Sequence, residues 1–131
     1  VIAVQIKLEE EIANLDEQDK KDFLELEGIK EPALNKIINK GYEILGLDTF
    51  FTAGPNELRA WTLKRGSLAP QAAGRIHTDF ERGFIKAEII SFEDYISFGG
   101  EAGSKENGKL RLEGKDYIFK DGDIAHFKFN V

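Results

Sequence analysis

Cysteine and methionine are both missing from these 131 residues. Without cysteine there is no disulfide, no thiolate zinc site and no cysteine nucleophile, and the composition fits a reducing compartment, so a cytoplasmic location is expected. No apolar run approaches the length of a membrane span and no signal-peptide pattern occurs in these residues, so no membrane partner is expected. Internal repeats and low-complexity segments are absent. So is any G-x-x-x-x-G-K-[ST] loop, or a G-x-G-x-x-G following a strand. Nucleotide phosphates need such backbone donors and the accompanying lysine. No catalytic residue, no nucleotide-binding residue and no cofactor is therefore expected in this chain. The missing initial methionine, and an opening on Val1-Ile2-Ala3-Val4-Gln5-Ile6, read as a strand already in progress, as in a piece of a longer protein.

What is present argues for a folded globule. Hydrophobic residues make up 41%, with 10 phenylalanines and 3 tyrosines. A chain of this length buries about two-thirds of its unfolded surface, and suffices for one domain with an attached piece. The net charge of -6 is unevenly spread. Val1 to Leu45 carries 11 acidic and 6 basic residues, whereas Gly46 to Val131 carries 13 and 12. Within the second stretch Arg59, Lys64, Arg65, Arg75, Arg82 and Lys86 face only Asp79 and Glu81 between positions 59 and 86. A local positive excess on an acidic chain is a candidate anion-facing patch.

The pattern divides near Gly46. Val1–Ile6 reads as a covered strand of a parallel sheet. Lys7–Leu15 reads as a helix burying Leu8, Ile12 and Leu15. Asp16 is a predicted N-cap for a second helix that stops at Gly28. A third helix starts at Pro32, with Leu34, Ile37, Ile38 and Leu45 as its core stripe, and ends at Gly46. Beyond it, two β-rich runs flank Gly54-Pro55-Asn56 as a hairpin. A short helix opens at Pro70, Gly83–Ile90 forms a third strand, and Ser91 caps another short helix. Gly99–Gly108 reads as a loop. The tail reads as a closing hairpin turning at Asp121-Gly122. Strand, strand, helix, strand and two closing strands is the order of a β-grasp, an α+β fold with a helix on one sheet face.

Three clusters invite chemistry. If extended, "IHTDFE" places His77, Asp79 and Glu81 on one face, as a metal or acid–base site would need. The simpler reading has His77 and Asp79 hydrogen-bonding in a turn and shaping that loop, with no metal. Asp121 and Asp123 lack the further oxygen ligands of a calcium loop, so a tight turn is expected. His126 reads as a structural or rim histidine. Trp61 reads as a core residue, with base stacking as the alternative. The cations could contact phosphate oxygens, which position a nucleic acid without reading its sequence. The opposing reading is an ordinary solvated surface.

Three long strings, "FFTAGPNELRAWT", "APQAAGRIHTDFERGFIKAE" and "EGKDYIFKDGDIAHFKFNV", together resemble the C-terminal signature of YchF-type (Obg-like) ATPases. Leu8–Leu47 resembles the segment that links that family's nucleotide domain to its TGS domain. The resemblance implies residues 1-45 as the end of a nucleotide-binding domain plus a helical linker, and 46-131 as a β-grasp TGS domain. It departs at Gln5-Ile6-Lys7, where the family often has a Ser-Ala-Lys-like element. It implies a parent P-loop NTPase using ATP in preference to GTP, with Mg, and a ribosome or rRNA partner. On this reading Arg59, Lys64, Arg65, Arg75, Arg82 and Lys86 face rRNA phosphates, while His77 and Asp79 shape a loop. Two alternatives stand beside it: a regulatory module packing on its own nucleotide-binding domain or a protein, and a small metal-dependent hydrolase. Self-association through the unpaired N-terminal strand is also expected.

Overall fold

A side-chain cap and a glycine stop bound the second of three helices in the N-terminal stretch. The computed structural model describes residues 1–131, which divide into two compact units, Val1–Leu45 and Gly46–Val131. The first contains α1 (Ile6–Ala13), α2 (Glu17–Leu26) and α3 (Ala33–Leu45). The Asp16 carboxylate accepts from the Asp19 backbone N–H at 2.8 Å, starting α2 as expected. Two expectations fail here. Val1–Gln5 is irregular rather than a strand, and Ile6 already opens a helix. Strand backbone groups need a neighbouring strand, and this unit consists of helices. The stripe of α3 is the second correction: Leu34, Ile37, Ile38 and Leu45 are exposed, and only Ala33 of that helix is buried. A unit this small has little interior, and Ile12 occupies its centre.

The second unit is a five-stranded sheet in the order β2-β1-β5-β3-β4. Its strands are β1 (Leu47–Ala53), β2 (Leu58–Lys64), β3 (Phe84–Ile90), β4 (Arg111–Glu113) and β5 (Ile124–Phe129). β1 and β2 form the expected antiparallel hairpin, with Phe50 opposite Trp61, closed by the Gly54 N–H donating to the Glu57 carbonyl at 2.7 Å. At the middle of the sheet β1 runs parallel to β5, the arrangement of a β-grasp. α4 (Ala69–Ile76) covers one face and is followed by α5 (Thr78–Arg82). Three α4 alanines, Ala69, Ala72 and Ala73, are fully buried. Their small side chains let the helix axis approach the sheet.

Phenylalanine supplies the bulk beneath α4. Phe50 is fully buried and meets Phe119 and Phe127 edge-on, with ring centroids 5.3 and 6.1 Å away. Edge-to-face contacts of this kind add to the stabilisation from burial alone. A register shift in β3 between Phe84 and Lys86 lets Phe84 and Ala87 both face the core.

The predicted closing hairpin is not one. β5 pairs with β1 and β3, while the residues before the turn make only an isolated bridge between Ile118 and Leu68. The Asp121-Gly122 turn exists, but it grips β1: Asp121 Oδ1 accepts from the Thr49 N–H, and the Gly122 N–H donates to the Thr49 carbonyl, both at 2.7 Å. The predicted Gly99–Gly108 loop contains α7 (Glu101–Glu106), following α6 (Phe92–Ser97), whose N-cap is Ser91 as expected. Glycine here permits close packing rather than disorder. A side chain at Gly103 would overlap the Phe98 carbonyl. Buried Ser104 donates to the Gly100 and Asp94 carbonyls at 2.7 and 3.3 Å, alternative acceptors for one hydroxyl hydrogen. No helix is long and apolar enough to cross a membrane.

Buried Asp123 locks the tail. Its Oδ2 accepts from the Tyr117 hydroxyl at 2.6 Å and from the Lys120 N–H at 3.0 Å. Burial, and next the bond to Asp123, push the Tyr117 phenol up to about 12. The folded state holds this proton more tightly than the unfolded chain does, with its ordinary value of 10.0. The resulting stability is complete below pH 10 and is lost as pH rises towards 12. Tyr117→Phe should cost about 1–2 kcal/mol in urea unfolding at neutral pH. It should also remove the latest-ionising tyrosine from an absorbance titration at 295 nm. An unchanged titration curve would contradict this account.

Candidate nucleic-acid interface

The six cations do not form one patch. Strand alternation puts Lys86 on the sheet face opposite buried Ala87. There it sits directly across from Lys128 of β5, a cation that the sequence reading missed although the alternation around buried Phe127 marks it. Arg82 ends α5, where a cation complements the helix carbonyls. Neither Arg82 nor Lys86 makes an ion pair at 4 Å or less.

Arg65 is committed to the fold. Its Nε lies 3.3 Å from Oδ1 of Asp48, whose side chain is only 11% exposed, and its N–H donates to the Gly46 carbonyl. Arg75, in the last turn of α4, donates through Nε to the Thr62 carbonyl at 3.0 Å. The helix is thereby tied to β2, an edge strand of the sheet. Lys64 has no ion-pair partner, and it lines the same open cleft as Arg75, about 330 Å³ in volume, with Leu47, Thr62, Leu63, Ser67 and Gln71. Ser67 and Gln71 were not singled out from sequence. Gln71 Oε1 accepts from the Leu68 N–H at 2.8 Å, so it is held at the start of α4.

Further along β2, Arg59 lies over the Trp61 ring, its guanidinium carbon 5.5 Å from the ring centroid. Its other contact is an exposed ion pair with Glu57 at 3.7 Å. Trp61 packs partly against the core, and its indole N–H donates to Thr52 Oγ1 at 3.0 Å.

"IHTDFE" is not extended. Thr78–Arg82 is helical and His77 is its N-cap, with Nδ1 accepting from the Asp79 N–H at 3.1 Å. The Asp79 carboxylate is 3.7 Å from the same nitrogen. Helical rotation separates Glu81 from this pair, and its carboxylate lies over Gly74 instead. No group of three or more His, Cys, Asp or Glu side chains is placed to hold a metal. His126 is exposed on β5 opposite Glu88.

Comparison with known proteins gives a consistent picture. The family model YchF-GTPase_C, described as "Protein of unknown function (DUF933)", matches residues 47–130. A "Ribosome-binding ATPase YchF" of Haemophilus influenzae is 58% identical over 131 residues, all of this chain and 36% of that protein. The Bacillus subtilis protein of the same name is 56% identical over the same shares. "Obg-like ATPase 1" of Gallus gallus is 51% identical over all of this chain and 33% of that protein. The solved Schizosaccharomyces pombe YchF GTPase superposes with a TM-score of 0.80 at 38% identity, covering 95% of this chain and 33% of that one. The chain thus spans about a third of the length of these relatives.

Arg65→Ala should leave the largely buried Asp48 carboxylate without its ion-pair partner. The guanidinium is more than half exposed, so the expected loss is modest, about 1 kcal/mol. Thermal unfolding of the variant, which should melt a few degrees lower, provides the check.

Proposed function

Because this chain belongs to the YchF-GTPase_C family, we propose that it is the non-catalytic C-terminal region of a ribosome-associated, P-loop NTP-hydrolysing protein. Residues 1-45 are then the end of a nucleotide-binding domain and its helical linker, and 46-131 a TGS domain that docks on ribosomal RNA. The parent uses ATP in preference to GTP, with Mg, and works in the cytoplasm. The names of the relatives support the ribosome as partner. The observation that carries the docking role is one open cleft beside an exposed strand edge that both Lys64 and Arg75 border, on a chain of net charge -6. Phosphate oxygens suit the cations of that cleft, with the Gln71 side-chain NH2 as a neutral donor beside them, its Oε1 being held by the Leu68 N–H. Arg59 extends the same edge. Arg82 on α5 and Lys86 on β3 form secondary contacts, and His77 with Asp79 shapes the turn between α4 and α5.

Co-sedimentation with ribosomes across a salt series tests this. Binding should fall steeply with salt, and Lys64→Glu should weaken it and flatten the salt slope by about one phosphate contact. Arg65 is left intact because a glutamate there would face Asp48. A salt-independent association, or none at low salt, would remove the phosphate-docking role.

The exposed stripe of α3 supports a second reading, in which the chain also packs against its own nucleotide-binding domain and relays the nucleotide state. Leu34, Ile37 and Ile38 present an apolar face of the kind that marks protein contacts. In isolation that face drives self-association, so light scattering should show concentration-dependent oligomers that Ile38→Glu disperses. Monomers at every concentration would count against it.

A further inference from the structure

We propose that Arg59 and Trp61 form a platform on which one unpaired base of a single-stranded RNA segment stacks; this rests on the phosphate-docking reading above and names the form of RNA it takes. The indole is held from two sides, by its N–H bond to Thr52 at 3.0 Å and by packing against the core. The Arg59 guanidinium lies over the ring, 5.5 Å from its centroid, yet the side chain is 58% exposed. Its outer surface is open to solvent. The one competing contact is the Glu57 carboxylate at 3.7 Å, a long and solvated ion pair of little strength. A guanidinium plane accepts a nucleobase face as an aromatic ring does, and this one is oriented before any ligand arrives.

The surroundings decide between ligands. Five residues of strand separate Arg59 from Lys64, about 17 Å at the usual rise, and that odd spacing turns Lys64 to the other sheet face; Arg59 and Trp61 share the face of buried Leu63, beneath α4. A phosphodiester backbone running along the β2 edge on that face would pass from the platform to Arg75 in the cleft. Duplex RNA keeps its base faces stacked on one another and has none to offer. An added peptide strand would need the outward backbone groups of β2, and the Thr62 carbonyl already accepts from Arg75. Single-stranded RNA satisfies both constraints.

Trp61 is the only tryptophan, so its emission reports on this site directly. The chain would be titrated with a short single-stranded oligoadenylate and with an RNA duplex carrying the same number of phosphates. The oligoadenylate should change the emission saturably and the duplex should not. Arg59→Lys keeps the charge but loses the plane, and should weaken oligoadenylate binding about tenfold. Glu57→Gln frees the guanidinium edge and should strengthen it. Equal responses to duplex and single strand, no change in emission, or wild-type affinity in Arg59→Lys would each overturn the platform. If ribosome binding remained salt-sensitive while the oligoadenylate failed, only the platform would fall. If neither bound, the docking reading would fall with it.

Discussion

The parallel pairing of β1 with β5 is the constraint on which the second unit depends. It joins the first strand of that unit to its last, and one backbone bond, from the Phe51 N–H to the Asp123 carbonyl at 2.8 Å, sits at its start. The chain between must close a long loop before that contact forms, and local structure cannot supply it. The tail is therefore prepared for the task. Asp121 and Gly122 both bond to Thr49, and Asp123 ties the turn to Tyr117 and Lys120. With β5 in place, β3 gains a neighbour, Phe127 meets Phe50, and α4 has a flat surface to cover.

This central pairing also leaves β2 at the edge of the sheet. An unpaired edge exposes backbone donors and acceptors and invites unwanted strand addition. The protein manages the risk with cations: Arg75 takes the Thr62 carbonyl, and Arg59 and Lys64 project from the strand itself. The same arrangement places positive charge on both sides of that edge in an acidic chain. Edge protection and anion attraction thus follow from one choice of side chains. The proposed docking role uses what the fold already requires.

Much of this was legible in the residues. The β1–β2 hairpin follows from Gly54-Pro55-Asn56 between β-rich runs, and the caps at Asp16 and Ser91 follow from their side-chain oxygens. Each is a local decision made within a few residues. The errors occur where a distant partner decides. Val1–Ile6 has the composition of a strand but no strand to pair with. Leu34, Ile37, Ile38 and Leu45 have the spacing of a buried stripe, but their small unit has no interior for them. Gly99–Gly108 looks like a loop because its glycines are visible, whereas the Phe98 carbonyl that Gly103 must accommodate is not.

The candidate site divides in the same way. Sequence alone determined that positive charge gathers between Arg59 and Lys86, that no phosphate-binding loop is present, and that the order of elements is that of a β-grasp. Only the tertiary structure decided which cations share a surface. It turned Lys64 and Lys86 to the face away from α4, spent Arg65 on Asp48, tied Arg75 to the edge of β2, and laid Arg59 on Trp61. Charge is a property of each residue and survives any folding. Proximity is a property of the packed chain, set by strand alternation, helix rotation and a sheet order that sequence spacing does not encode.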